Sequence, residues 1–272
     1  MAPFSTQEIF TTADAAAIAF TRWLAPRAGA PRLALIHSLA LDRSVWDGVV
    51  EQLRGEAEIL AYDCRGHGRS DRRAGTFTAE SFARDLAELL DHVGWPCATV
   101  AGCSMGGCVA LAFAGLYPAR VEALGLMDTT ARYGEDGRAG FRERATAARE
   151  EGMQGLVDLQ APRWFSDEFC VRHPAVVTHA ADVFRATDVE CYAASCGLLE
   201  DVDLRAHLPA FRLPVAIVVG EEDHATPVAM SQYLHEHIAN STLTVIPGAR
   251  HLTPIEHPQK IAEELLALVR RT

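Results

Sequence analysis

The sequence predicts an α/β fold: a mostly parallel central sheet flanked by helices, with a helical cap inserted between two of the sheet strands. Three observations carry this. From residue 32 to about 128, short apolar runs of strand length alternate with longer amphipathic ones, the rhythm of successive βαβ units. The same rhythm resumes from 214 to 270. Between about 131 and 208 the strand runs stop, and segments rich in Ala, Arg and Glu take their place.

Taken in order, "QEIFTT" and "AAIAFTRW" in the first thirty residues read as two strands pairing in an antiparallel edge. "RLALIH" (32–37) is a strand and "SVWDGVVEQLRG" (44–55) a helix closed by glycine; "AEILAYD" (57–63) is a strand leading into the turn-rich "CRGHGRSD" (64–71). "TAESFARDLAELLDHVG" (78–94) is a helix that opens on Thr78 with Glu80 and Ser81 in its first turn. Its Phe82, Leu86, Leu89 and Leu90 recur at helical spacing. Strand "CATVAG" (97–102), helix 105–117 and strand "VEALGLMD" (121–128) follow. Beyond the cap come strand "PVAIVVG" (214–220), helix 227–239, strand "STLTVIPG" (241–248) and helix 258–270. The chain therefore divides into a core of residues 1–130 and 209–272 and a cap of residues 131–208, long enough together to bury a sizeable interior. No internal repeat, low-complexity tract or flexible linker interrupts it.

Composition narrows the function. Apolar residues make up 49% and charged ones 22%, as in globular proteins, and the net charge of −11 repels nucleic acid and anionic membrane, so neither is expected as a partner. The longest apolar run, around 105–117, is too short to cross a bilayer. Seven cysteines, an odd number without a CxxC pair, point to free thiols in a reducing cytoplasm. The opening "MAPFSTQEIF" has an early acid and no basic stretch before an apolar core, so no secretory signal is expected.

The chemistry centres on Gly102-Cys103-Ser104-Met105-Gly106. Gly-x-Ser-x-Gly between a strand and a helix lets the turn tighten until the serine stands at its apex, near the positive end of the helix. Phosphate-loop spacings are absent. A serine needs a base held by an acid, in the chain order Ser, acid, His. "GEEDHATP" places Asp223 on the loop after strand 214–220, and "IPGARHLTPIEHP" places His251 after the next strand. Both fall at the carboxyl edge of the sheet, where Ser104 is presented. Asp128, after strand 121–128, is the rival acid; Asp223 is preferred because its strand directly precedes the one that carries the histidine. The backbone N–H of Met105 and that of Leu39, in the loop "HSLALDRSVWD", are the expected oxyanion donors. His37 and Ser38 read as scaffolding for that loop, and His224 as structural. No HExxH is present, His235 and His237 fall on different helix faces, and neither metal nor cofactor is expected.

With these residues in place the chain resembles the α/β-hydrolases nearly end to end, through "IHSLALDRSVWD", "YDCRGHGRSD", "GCSMGG", "GEEDHATP" and "GARHLTPIEHP". Within them it is most similar to the 3-oxoadipate enol-lactonases. The marks are Ser38-Leu39 where most relatives have His-Gly, "DTTARYG" (128–134), "RWFS" (163–166) and "CYAASCGLLEDVDLR" (191–205). It departs from them in "HSLAL", where an Asn before Ser-Leu and a Gly after it would be expected. The resemblance implies hydrolysis of a small carboxylate-bearing enol-lactone in aromatic catabolism. Such a substrate calls for a cation in or under the cap, with Arg163, Arg132 and Arg142 as candidates and solvated helix faces as the alternative. Trp164 is either an apolar wall of the pocket or core packing.

Three other functions fit the same motifs: a general short-chain carboxylesterase, a hydrolase cleaving C–C bonds of ring-fission products, and a ligand receptor on the same fold. Halide-releasing relatives use an Asp nucleophile, against which Ser104 argues. The expected partner is a small ester or lactone, and a homodimer is left open.

Overall fold

The computed structural model describes residues 5–27 and 29–271; residues 1–4 of the segment read for a secretory signal lie outside them, as do residues 28 and 272 of the expected core. Among the described residues, eight strands form one sheet. At its edge β1 (Ser5–Thr11) pairs antiparallel with β2 (Ala17–Trp23), and β2 pairs antiparallel with β4 (Glu58–Tyr62). The remaining pairings are parallel: β4 with β3 (Arg32–Ile36), β3 with β5 (Ala98–Cys103), then β6 (Val121–Met127), β7 (Val215–Gly220) and β8 (Ser241–Ile246). The spatial order β1-β2-β4-β3-β5-β6-β7-β8 puts β5 near the middle, with both faces covered. All six of its residues are buried, as a central parallel strand requires.

The helices follow the sequence pattern, with local differences. The segment read as one helix over 44–55 divides into a single 3-10 turn at Arg43–Trp46 and α1 (Asp47–Leu53). Asp42 caps that turn by accepting the N–H of Ser44. α2 (Ala79–His92) starts on a reciprocal cap in which the Thr78 and Ser81 side chains each accept the other's backbone N–H. α3 (Met105–Leu116) has no polar face; every residue from Met105 to Ala114 is buried, and it packs against α2, β3, β5 and β6.

Between β6 and β7 lie four α-helices, two short 3-10 turns and no strand of the sheet: α4 (Glu135–Gln160), α5 (Asp167–Arg172), α6 (Pro174–Arg185) and α7 (Val189–Asp201). α4 breaks at Gly152, whose φ of 75° glycine adopts without steric cost. The base of the segment is tied where the N–H of Leu204 donates to the carbonyl of Ala131 at 2.8 Å, beside a bridge between Arg132 and Asp203. α8 (Val228–His237), α9 (Thr253–Glu256) and α10 (Pro258–Val269) complete the chain. The single turn of α9 is too short to show a period in sequence. Among the described residues, no helix is long and apolar enough to cross a membrane, and all seven cysteines are unpaired.

Candidate active site

Ser104 stands between β5 and α3 at φ 54° and ψ −116°, a conformation rare for a residue with a Cβ. The corner exists because its flanks have no side chains. A Cβ on Gly102 would lie 2.0 Å from the carbonyl oxygen of Gly106, and one on Gly106 would lie 2.3 Å from that of Ile36. The strained backbone is held from both sides: the Ser104 N–H donates to the carbonyl of Met127, and its carbonyl accepts the hydroxyl of Thr129 and the N–H of Gly107.

The Oγ of Ser104 meets Nε2 of His251 at 2.9 Å, and Nδ1 of His251 meets Oδ2 of Asp223 at 2.8 Å. All three side chains are buried. Asp223 sits on the loop after β7, where its Oδ1 accepts the N–H groups of Ala225 and Thr226 and its Oδ2 accepts the Thr226 hydroxyl. The loop carrying His251 is knitted to the residues after Trp164. Glu256 accepts the N–H of Ser166 and of Arg250, and the N–H of Leu252 donates to the carbonyl of Trp164.

The electrostatics suit a relay. Burial alone would raise Asp223, but the charge of His251 and the hydrogen bonds from His251 and Thr226 outweigh it and hold the carboxyl below its usual range. Burial alone would likewise lower His251, yet the charge and hydrogen bond of Asp223, with Asp128 adding to them, raise its proton affinity. Asp128 makes no hydrogen bond to the imidazole. Its carboxylate accepts the N–H and hydroxyl of Thr253 and the N–H of Gly220, so it braces the strand ends, and burial beside Asp223 pushes its pKa upward.

The loop after β3 is braced by His37. Its Nε2 accepts the N–H of Cys64 at 2.8 Å, which leaves Nδ1 to donate to the carbonyl of Ser38 at 2.7 Å. Burial lowers its pKa to about 4, keeping the ring neutral and the tautomer fixed. Neither the Leu39 N–H in this loop nor the Met105 N–H at the start of α3 has an acceptor among the described residues. Both are therefore open to a ligand oxygen.

A cavity of about 720 Å³ opens on Ser104 and His251, between the loops of the sheet and the helical segment. Ser38, Leu39 and His224 line it from the sheet side, and Arg163 and Trp164 from the helical side. Arg163 lends one nitrogen to the carbonyl of His224. Arg132 and Arg142, also expected as candidate cations, are absent from the lining. Arg132 pairs with Glu135 and Asp203, and Arg142 with Glu200 at 2.6 Å. Residues two apart on a helix face different ways, so the inward cation is Arg144, which the sequence reading did not single out. Tyr133 and Tyr192 line the cavity as well. Both lie in stretches that carry the enol-lactonase resemblance, "DTTARYG" and "CYAASCG", which was the available signal.

Comparison with known proteins identifies the fold. A family model described as the alpha/beta hydrolase fold matches residues 31–258. The 3-oxoadipate enol-lactonase 2 of Acinetobacter baylyi is 32% identical over 245 residues, 90% of this chain and 91% of that protein. Among solved structures, the enol-lactonase from Burkholderia xenovorans LB400 is similar with a TM-score of 0.92 and 30% identity, over 97% of this chain and 100% of that one. A thermophilic esterase from Thermogutta terrifontis, solved with malate bound, is similar with a TM-score of 0.90 and 30% identity, over 98% of both chains.

Proposed function

The chain belongs to the alpha/beta-hydrolase fold family, and we propose that it is a serine hydrolase that opens a small ester or enol-lactone through an acyl-enzyme, with 3-oxoadipate enol-lactone as its substrate in aromatic catabolism. The observation that carries the mechanism is the continuous contact Ser104–His251–Asp223 at the apex of a strained corner. Residues 131–208 serve as a cap over that corner, and the work is done in the cytoplasm.

Nε2 of His251 takes the proton of Ser104 as Oγ attacks the acyl carbon. The carbonyl oxygen, now anionic, is received by the N–H groups of Leu39 and Met105. Asp223 keeps the Nδ1 proton facing itself, so that Nε2 is the basic nitrogen, and it stabilises the imidazolium that forms. The imidazolium returns its proton to the leaving oxygen as the acyl–oxygen bond breaks. In a lactone that oxygen stays tethered to the acyl group, so the ring opens without losing a fragment, and an enol so released becomes a ketone. Water then gives a proton to His251, attacks the acyl carbon and frees the acid with Ser104 restored. Arg163 and Trp164 shape the substrate's surroundings.

A general carboxylesterase would use the same machinery, and the esterase similarity favours keeping that reading in view. The test is a rate comparison. A kcat/KM for 3-oxoadipate enol-lactone at least a hundredfold above that for p-nitrophenyl acetate supports the lactonase. The reverse order makes the protein an esterase.

A further inference from the structure

Both relay loops meet the helical segment at one side chain. The residue before His251 is the half-buried Arg250, and its backbone is seated on the end of β7: a Cβ on Gly220 would stand 2.3 Å from the Arg250 carbonyl oxygen. One position earlier, the carbonyl of Ala249 accepts the N–H of Glu222, the neighbour of Asp223, at 2.9 Å. On the sheet side, therefore, backbone packed on backbone holds the histidine loop to the acid loop. On the helical side the loop is held largely by side chains.

The Arg250 guanidinium reaches across to that side. One terminal nitrogen donates to the carbonyl of Phe165 at 2.8 Å and lies 3.0 Å from both the carbonyl of Pro162 and a carboxylate oxygen of Asp167. Its Nε stands 3.5 Å from a carboxylate oxygen of Glu222. Glu256 completes the joint, with one oxygen on the N–H of Arg250 and the other on that of Ser166. Asp167 and Glu222 are exposed, so water screens those two ion pairs and the carbonyl contacts carry the geometry. Carbonyls just past the end of a helix lack intrahelical partners, and the planar fork of an arginine answers several at once, as a lysine cannot. Arg163 and Trp164, which line the cavity that opens on Ser104, lie between the two gripped carbonyls.

We propose that Arg250 is a positioning residue, fastening residues 162–167 to the loops of Asp223 and His251 so that the docking of the helical segment and the aim of the imidazole at Ser104 are one event. The inference rests on the hydrolase reading, and it gives the helical segment a part in proton transfer as well as in enclosing the substrate. An imidazole moved by about 1 Å from its 2.9 Å contact with Oγ loses proton transfer without losing substrate affinity, at a cost of up to about a hundredfold in rate. The loss falls on kcat.

The test follows hydrolysis of p-nitrophenyl acetate. In Arg250→Ala kcat falls by about ten- to a hundredfold with KM changed less than threefold, and sulfonylation of Ser104 by phenylmethanesulfonyl fluoride slows in the same proportion. Arg250→Lys, which answers one acceptor at a time, keeps an intermediate kcat. A cleft of about 580 Å³ on the outer side of Arg250, lined by Asp167, Glu222 and Glu256, admits a free guanidinium ion. Millimolar guanidinium chloride, far below denaturing concentrations, therefore raises kcat at least fivefold in Arg250→Ala. It leaves the wild type and Arg172→Ala, a change in the same cleft, where they were. Hydrogen exchange at the Ser166 and Leu252 amides quickens at least tenfold in Arg250→Ala, a readout that needs no turnover. An unchanged kcat overturns the proposal, as does a fall in kcat that guanidinium leaves unrepaired, the mark of a merely structural arginine. A wild type that neither cleaves the ester nor takes the sulfonyl group would instead sink the hydrolase reading, and exchange at Ser166 and Leu252 would still show whether Arg250 fastens the loops.

Discussion

Replacing Asp223 by Asn changes one atom and should nearly silence the enzyme, and the structure says why. Oδ1 of Asp223 accepts two backbone N–H groups, from Ala225 at 2.8 Å and Thr226 at 2.9 Å. An amide placed with its NH2 there would set donors against donors and strand two hydrogen bonds, a cost of about 2–4 kcal/mol. The side chain therefore keeps its oxygen on the backbone and turns its NH2 toward His251 and the hydroxyl of Thr226, which rotates to accept. Nδ1 of the imidazole must then accept as well, so its proton moves to Nε2. There it faces Ser104 as a donor and can no longer take the serine proton. The expected loss in kcat/KM is about 10³- to 10⁴-fold, or about 4–5.5 kcal/mol of transition-state stabilisation. The assay is steady-state hydrolysis of p-nitrophenyl acetate, with circular dichroism to verify the fold. Asp128→Asn is the informative partner, because Asp128 braces Thr253 and Gly220 and does not hydrogen-bond the imidazole. Activity that survives Asp223→Asn and disappears in Asp128→Asn would refute the argument.

The raised proton affinity of His251 puts the acidic limb of kcat/KM above pH 6.5, because the protonated ring cannot act as base; a limb below that value would contradict the assignment. The same pair leaves a mark on stability. The His251 contribution is present below its unfolded pKa and fades as pH rises through the raised folded value, while the Asp223 contribution fades as pH falls through its lowered one, and urea titrations of wild type and Asp223→Asn would resolve both. Gly102→Ala drives a Cβ to 2.0 Å from the carbonyl oxygen of Gly106 and should cost at least about 3 kcal/mol by urea unfolding, more than a single extra methyl usually costs in a core. His37→Ala removes the acceptor for the N–H of Cys64 and the donor to Ser38, leaving two buried groups unpaired at about 1–3 kcal/mol each. Its kcat should fall as the Leu39 N–H loses its mooring, and an unaltered kcat would remove Leu39 from the oxyanion site.

What sequence reveals here follows from how local each constraint is. The corner at Ser104 is written in adjacent residues, because only glycine fits at 102 and 106, and the relay partners follow the order of the strands. The choice between Asp223 and Asp128 rests on strand order; in the structure Asp223 contacts the imidazole and Asp128 contacts Thr253. The residues of the helical segment were harder. Arg142 and Arg144 are indistinguishable in composition, and their difference is one of rotation about α4, a helix whose amphipathic pattern is interrupted by the break at Gly152. Arg132 is drawn off by Asp203, seventy-one positions along the chain, a pairing that no local pattern announces.

The account turns on Ser104 as the attacking group. The direct measurement is to treat the protein with a sulfonyl fluoride and map the adduct by peptide mass spectrometry alongside residual activity. One adduct per chain, on Ser104, formed in step with the loss of activity and absent from Ser104→Ala, is the expected result. Modification elsewhere, or esterase turnover that persists in Ser104→Ala, would contradict it.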